Sequence, residues 1–106
     1  MEYKIVKQEE APLEVNKWLE ENRTLKAQNI IAINDMTYVL LTMGKKKTGG
    51  YEIDVDCKES EDKVEIFIKY LEPKSDQIVI QAITYPMQII SFKETTKEIL
   101  VIQIES

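Results

Sequence analysis

Met36-Thr37-Tyr38-Val39-Leu40-Leu41-Thr42-Met43-Gly44-Lys45-Lys46-Lys47-Thr48-Gly49-Gly50-Tyr51 holds the reading on which the fold depends. Its first half is a mainly apolar run, which with residues 28–33 reads as a hairpin holding at least one buried strand. Its second half contains all three glycines of the chain and leads into a segment with strand alternation. A mainly apolar strand, a lysine loop and a second strand are the expected order.

Downstream, Tyr51, Ile53, Val55 and Cys57 alternate with Glu52, Asp54 and Asp56, so this strand has one core face and one wet, acidic face. Residues 58–62 form a polar turn, after which Val64, Ile66, Ile68 and Tyr70 alternate with Lys63, Glu65, Phe67 and Lys69. A long hairpin follows, with Cys57 expected opposite Val64, Ile53 opposite Ile68 and Glu52 opposite Lys69; a one-residue slip would turn an apolar set into water.

Upstream, residues 28–33 are β-branched and apolar on both faces, and Asn34-Asp35 supplies turn chemistry before Met36, so these segments read as a hairpin with at least one buried strand. Val15, Trp18 and Leu19 follow the spacing of one apolar helical face, and Pro12 suits the first turn, which predicts a helix over residues 12–22 with Trp18 seating it on the sheet. Residues 3–8 alternate weakly and read as an edge strand.

Past the hairpin, residues 71–77 with Pro73 form a loop and residues 78–82 a short extended run. Tyr85 is biased to an extended conformation by Pro86. Residues 87–92 and 98–104 are two further strands joined by a polar turn over residues 93–97. The fold class is therefore α+β and β-rich: seven or eight strands, mostly antiparallel, in a sandwich or partly closed barrel with one N-terminal helix. Residues 1–106 are expected to form a single domain.

Fourteen Lys and Arg against nineteen Asp and Glu give a net charge of −5, which disfavours nucleic acid and anionic membrane as partners. With no histidine, the commonest general base and most transition-metal sites are excluded. Cys57, alone, makes no intrachain disulfide and lies on an apolar strand face, as a small buried hydrophobe. The strand-face carboxylates Glu52, Asp54 and Asp56 stand about 7 Å apart at alternate positions, without a calcium-loop pattern, and read as a solvated face. No cofactor, metal or catalytic residue is expected. No stretch reaches the length of a membrane span, and the N-terminus shows no leader pattern. The chain as written is expected in the cytoplasm, or outside the cell or at its surface if a leader has been removed.

The loop at Gly44 lacks the glycine that a Walker phosphate loop places before its Lys-Thr pair, since Lys46 stands there, and a strand follows it where that loop needs a helix. Two readings remain: a solvated tip whose lysines discourage aggregation, or a binding loop in which Gly49-Gly50 allows close main-chain approach.

Thr48-Gly49-Gly50-Tyr51-Glu52-Ile53-Asp54-Val55, then Leu71-Glu72-Pro73, then Gln81-Ala82-Ile83-Thr84-Tyr85-Pro86-Met87-Gln88-Ile89-Ile90, resembles the C-terminal domain of PrcB-like proteins over residues 40–93. That family is named after a subunit that supports a subtilisin-like, cell-surface protease complex without being its peptidase. The resemblance implies a non-catalytic accessory domain whose partner is a protein, a peptidase or a surface-complex subunit. Thr48-Gly49-Gly50-Tyr51 is also similar to the Thr-Thr-Gly-Tyr loop of chagasin-type peptidase inhibitors, although their Arg-Pro-Trp element is missing.

Both resemblances direct attention to Lys46, Lys47, Thr48, Gly49, Gly50, Tyr51, Pro73, Tyr85 and Pro86 as protein-binding residues, provided their loops gather at one end of the sheet. The competing reading makes Tyr51 the start of a core-facing strand and Tyr85-Pro86 a strand start, with a cis bond as one way to build it. The alternatives in function are a peptidase inhibitor and a small-molecule-binding domain, the latter requiring a deep pocket with convergent carboxylates. The edge strand at residues 3–8 also allows a homodimer by strand addition.

Overall fold

The computed structural model describes residues 1–104. Strands β1 (Lys4–Ile5), β2 (Lys26–Ile33), β3 (Met36–Met43) and β6 (Met87–Lys93) form one sheet in the order β1-β6-β3-β2, and β4 (Glu52–Glu59), β5 (Lys63–Leu71) and β7 (Glu98–Gln103) form a second in the order β4-β5-β7. Helix α1 (Leu13–Asn22) packs on the first sheet. The result is a sandwich of two separate sheets with a helix as a third layer, and not a closed barrel.

The apolar run of β3 explains this layering. Val39, Leu41 and Met43 point between the sheets, where they meet Ile53, Cys57, Val64, Ile66, Ile68, Ile90 and Phe92. Leu40 points the opposite way, toward Val15 and Leu19 of α1 and Ile89 of β6, with Trp18 half-buried beside them. Because strand side chains alternate, a strand covered on both faces needs consecutive apolar residues. Trp18 seats the helix, as expected.

The Asn34-Asp35 turn has positive φ at both residues, 48° and 64°, the geometry that matches strand twist in a two-residue hairpin, and it pairs Ile33 with Met36. Two other sequence expectations are corrected, the β4–β5 register and the extent of the N-terminal strand. In the β4–β5 hairpin Cys57 faces Ile66, Ile53 faces Tyr70, and Asp54, not Glu52, faces Lys69. The shift is two residues: Lys58 and Glu59 stay in the strand, and Ser60 N–H donates to the Lys63 carbonyl at 2.9 Å to close a tighter turn.

The N-terminal strand is confined to Lys4–Ile5, extended by a Val6 N–H bond to the Ile89 carbonyl, because a 3-10 turn at Gln8–Glu10 follows at once. Strands β6 and β7, joined by the expected polar turn, do not pair with each other. Both edges of β6 are taken, by β1 and β3, so β7 crosses to the second sheet and pairs parallel with β5. Lys97 anchors that crossing through Glu59 at 2.9 Å and the Ser60 carbonyl at 2.7 Å; its ammonium holds the Glu59 carboxyl below its usual pKa. The extended run at residues 78–82 belongs to neither sheet.

Candidate functional site

The topology brings the predicted residues together. The chain leaves the first sheet after Met43 and enters the second at Glu52; it leaves the second after Leu71 and re-enters the first at Met87. Glu52 faces Leu71 and Thr42 faces Met87, so both crossings occur at the same end of the sandwich. The start of β2 is there as well, since Lys26 faces Met43.

The two crossing loops are bonded to one another. Lys46 and Thr84 form an isolated antiparallel bridge, Gly49 N–H donates to the Ile80 carbonyl at 2.9 Å, and the Thr84 hydroxyl donates to the Thr48 carbonyl at 2.7 Å. Residues 80–84 therefore run antiparallel beside residues 46–49. Met43 N–H donates to the Pro86 carbonyl at 3.0 Å, which closes the base of the cluster.

Gly50 and Pro73 meet within it. Gly50 has φ of +89°, and a Cβ there would stand 2.7 Å from Val79 Cγ1 and 2.9 Å from Pro73 Cβ, so only glycine fits. At Gly49 the nearest atoms to an added Cβ, all of Ile80, are 3.7–3.9 Å away, ordinary contact distance. Gly50 is thus a packing position, whereas Gly49 tolerates a side chain.

Tyr51 is half-buried and packs against the inter-sheet core, while Lys46 Nζ sits 5.2 Å from its ring centroid. It therefore starts a core-facing strand and also borders the loop. Tyr85, half-buried, carries the Arg23 guanidinium 4.5 Å above its ring, which ties the end of α1 to the second crossing. No cis peptide bond occurs among the described residues, so the Tyr85-Pro86 bond is trans. Lys47 is exposed.

Sequence reasoning missed the most exposed apolar residues of this cluster: Ile78 is 98% exposed, Ile80 73% and Ile83 55%. The signal is present as β-branched residues between two loop prolines, a short extended run whose exposure the sequence pattern does not reveal. Thr84, which bonds both to Lys46 and to Thr48, was likewise passed over.

Elsewhere, Glu52, Asp54 and Asp56 are exposed on the outer face of β4, where the surface is an open trough containing Lys58 and Lys69 as well as Asp54 and Asp56. No group of three potential ligands is poised to hold a metal ion among the described residues. The loop cluster sets glycine main chain, proline and half-buried tyrosine beside the exposed Ile78, Ile80 and Ile83.

Residues 37–93 match the sequence model of the family described as PrcB C-terminal. No curated protein and no solved structure matches the chain. The matched residues run from the second position of β3 to the last of β6, so they include both crossing loops and omit α1 and β7.

Proposed function

The chain belongs to the PrcB C-terminal family, and from that membership we propose that it is a non-catalytic accessory domain of a protease complex, binding a protein partner through the loop cluster. The observation that carries this reading is the joining of the two crossing loops by the Lys46–Thr84 bridge, the Gly49–Ile80 bond and the Thr84–Thr48 bond, with Ile78, Ile80 and Ile83 left exposed beside them. A surface already held in place loses little freedom when a partner docks, and its apolar area is the part that gains from leaving water.

The matched segment is the part of the chain that builds this cluster, which supports placing the family's common role there. The test is capture from the native host by the tagged chain, comparing wild type with Gly49→Arg. Gly49 suits the substitution because its surroundings accept a Cβ, whereas a change at Gly50 would disturb Pro73 and Val79. Retention of a protease or surface-complex subunit by wild type and its loss by a folded Gly49→Arg variant is the expected result. Equal retention by both would remove the loop cluster from the interface.

A further inference from the structure

Ile78-Val79-Ile80-Gln81-Ala82-Ile83 joins strand-forming side chains to a main chain that belongs to no strand. One edge of this stretch is in use, through the Ile80 carbonyl and the Thr84 bridge. Among the described residues, the N–H groups of residues 78–83 make no hydrogen bond within the chain. Among the described residues the second edge makes no main-chain hydrogen bond, and it lies next to three isoleucines that are more than half exposed. An open edge with apolar side chains is a template for another strand.

Charge narrows the choice of strand. In a chain of net charge −5, residues 44–51 and 72–86 carry four lysines, Lys45, Lys46, Lys47 and Lys74, against only Glu72 and Asp76. This end of the molecule is locally positive and attracts carboxylates. Strand β4 of a second copy has such carboxylates, but its alternate side chains Ile53 and Cys57 are buried in the core and are not available to cover Ile78 or Ile80.

We propose that residues 78–83 hold the partner by strand addition, taking an extended segment of another protein in which acidic and aliphatic side chains alternate. This rests on the accessory reading above and specifies how that site recognises its partner. The added strand would satisfy the open main-chain groups, its aliphatic side chains would cover the isoleucines, and its carboxylates would meet the lysines.

The experiment is selection from a random linear peptide library against the immobilised whole chain, followed by amide NMR and affinity measurement of the enriched peptides. Ile80→Asp serves as the negative variant; Ile80 is exposed, so this variant is expected to keep the wild-type melting temperature. The expected peptides alternate Asp or Glu with Val, Ile or Leu, shift the amides of residues 78–83, weaken as salt is added, and bind Ile80→Asp at least about tenfold less tightly.

No enrichment, enrichment of basic or non-alternating peptides, or unchanged binding to Ile80→Asp would overturn the proposal. So would self-association abolished by Ile80→Asp, which would make a second copy the occupant. A captured protease-complex protein that still binds Ile80→Asp would remove strand addition and leave the accessory reading standing. Acidic peptides selected on residues 78–83 with no protease-complex protein captured would do the reverse.

Discussion

The main chains of Lys46 and Thr84 exchange both of their hydrogen bonds, at 2.9 and 3.0 Å, as a single antiparallel rung outside either sheet. The rung joins two loops that are far apart in sequence but cross between the sheets at the same end. Its position is held by the Thr84 hydroxyl, which reaches the Thr48 carbonyl at 2.7 Å.

Removing that hydroxyl while keeping the side-chain shape tests how much the loop connection contributes. Thr84→Val leaves the half-buried Thr48 carbonyl without its donor and is expected to lower the free energy of unfolding by about 1–2 kcal/mol. Thr84→Ser, which keeps the donor, should remain closer to wild type. Urea denaturation of the three proteins decides it, and equal loss in the serine variant would assign the effect to packing.

Adjacent glycines are expected to respond differently to the same substitution. Gly50→Ala puts a Cβ within 2.7 Å of Val79 at φ +89°, and a cost of about 1–3 kcal/mol is expected from strain and contact together. Gly49→Ala meets nothing closer than 3.7 Å and should stay within about 1 kcal/mol of wild type. Chemical denaturation of both variants measures this; similar losses would mean that the two positions share one role.

Burial of β3 on both faces makes a third prediction. Leu40 packs under α1 and Leu41 packs between the sheets, and both are fully buried. Leu40→Ala and Leu41→Ala should each cost about 2–5 kcal/mol, whereas Leu13→Ala, on a helical residue 84% exposed, should cost no more than about 0.5 kcal/mol. A small effect at Leu40 would mean that the helix does not cover the sheet in solution.

These positions also show what the sequence could reveal. Consecutive apolar residues in β3, the alternation of β4 and β5, the Asn34-Asp35 turn and the helical spacing of Val15, Trp18 and Leu19 are local signals, and each led to the right element. The hairpin register was not legible, because a two-residue shift keeps Ile53 and Cys57 on the core face and so leaves the alternation unchanged. The partner of β7 was hidden for a different reason. A polar turn after β6 resembles a hairpin turn, but only the sheet order shows that β1 and β3 already occupy both edges of β6. Gathering of Gly49, Gly50, Pro73 and Tyr85 could be stated only as a condition, since it depends on both crossings using one end. Residues 78–83 have strand composition, and composition does not say whether they join a sheet or only run beside another loop.

Cys57 is buried between the sheets, and its N–H donates to the neighbouring Asp56 carboxylate at 3.0 Å. Burial, aided by that negative charge, pushes its thiol from an ordinary value of 9.0 up to about 11. The thiolate is the reactive form, so at about pH 8 the native chain should react with a disulfide reagent far more slowly than the chain unfolded in urea. The same shift sets a direction for stability. Folding favours the neutral thiol, so this contribution is fully present below 9.0 and is lost as pH rises through about 11. Tyr3 and Tyr70 are also raised by burial and titrate in alkaline solution, so the measurement must be a difference. Between these limits, the unfolding free energy of wild type should fall more steeply than that of Cys57→Ala, whatever packing the alanine variant loses at neutral pH. Parallel slopes, or a native thiol that reacts as fast as the unfolded one, would place Cys57 in contact with water and open the inter-sheet core at that point.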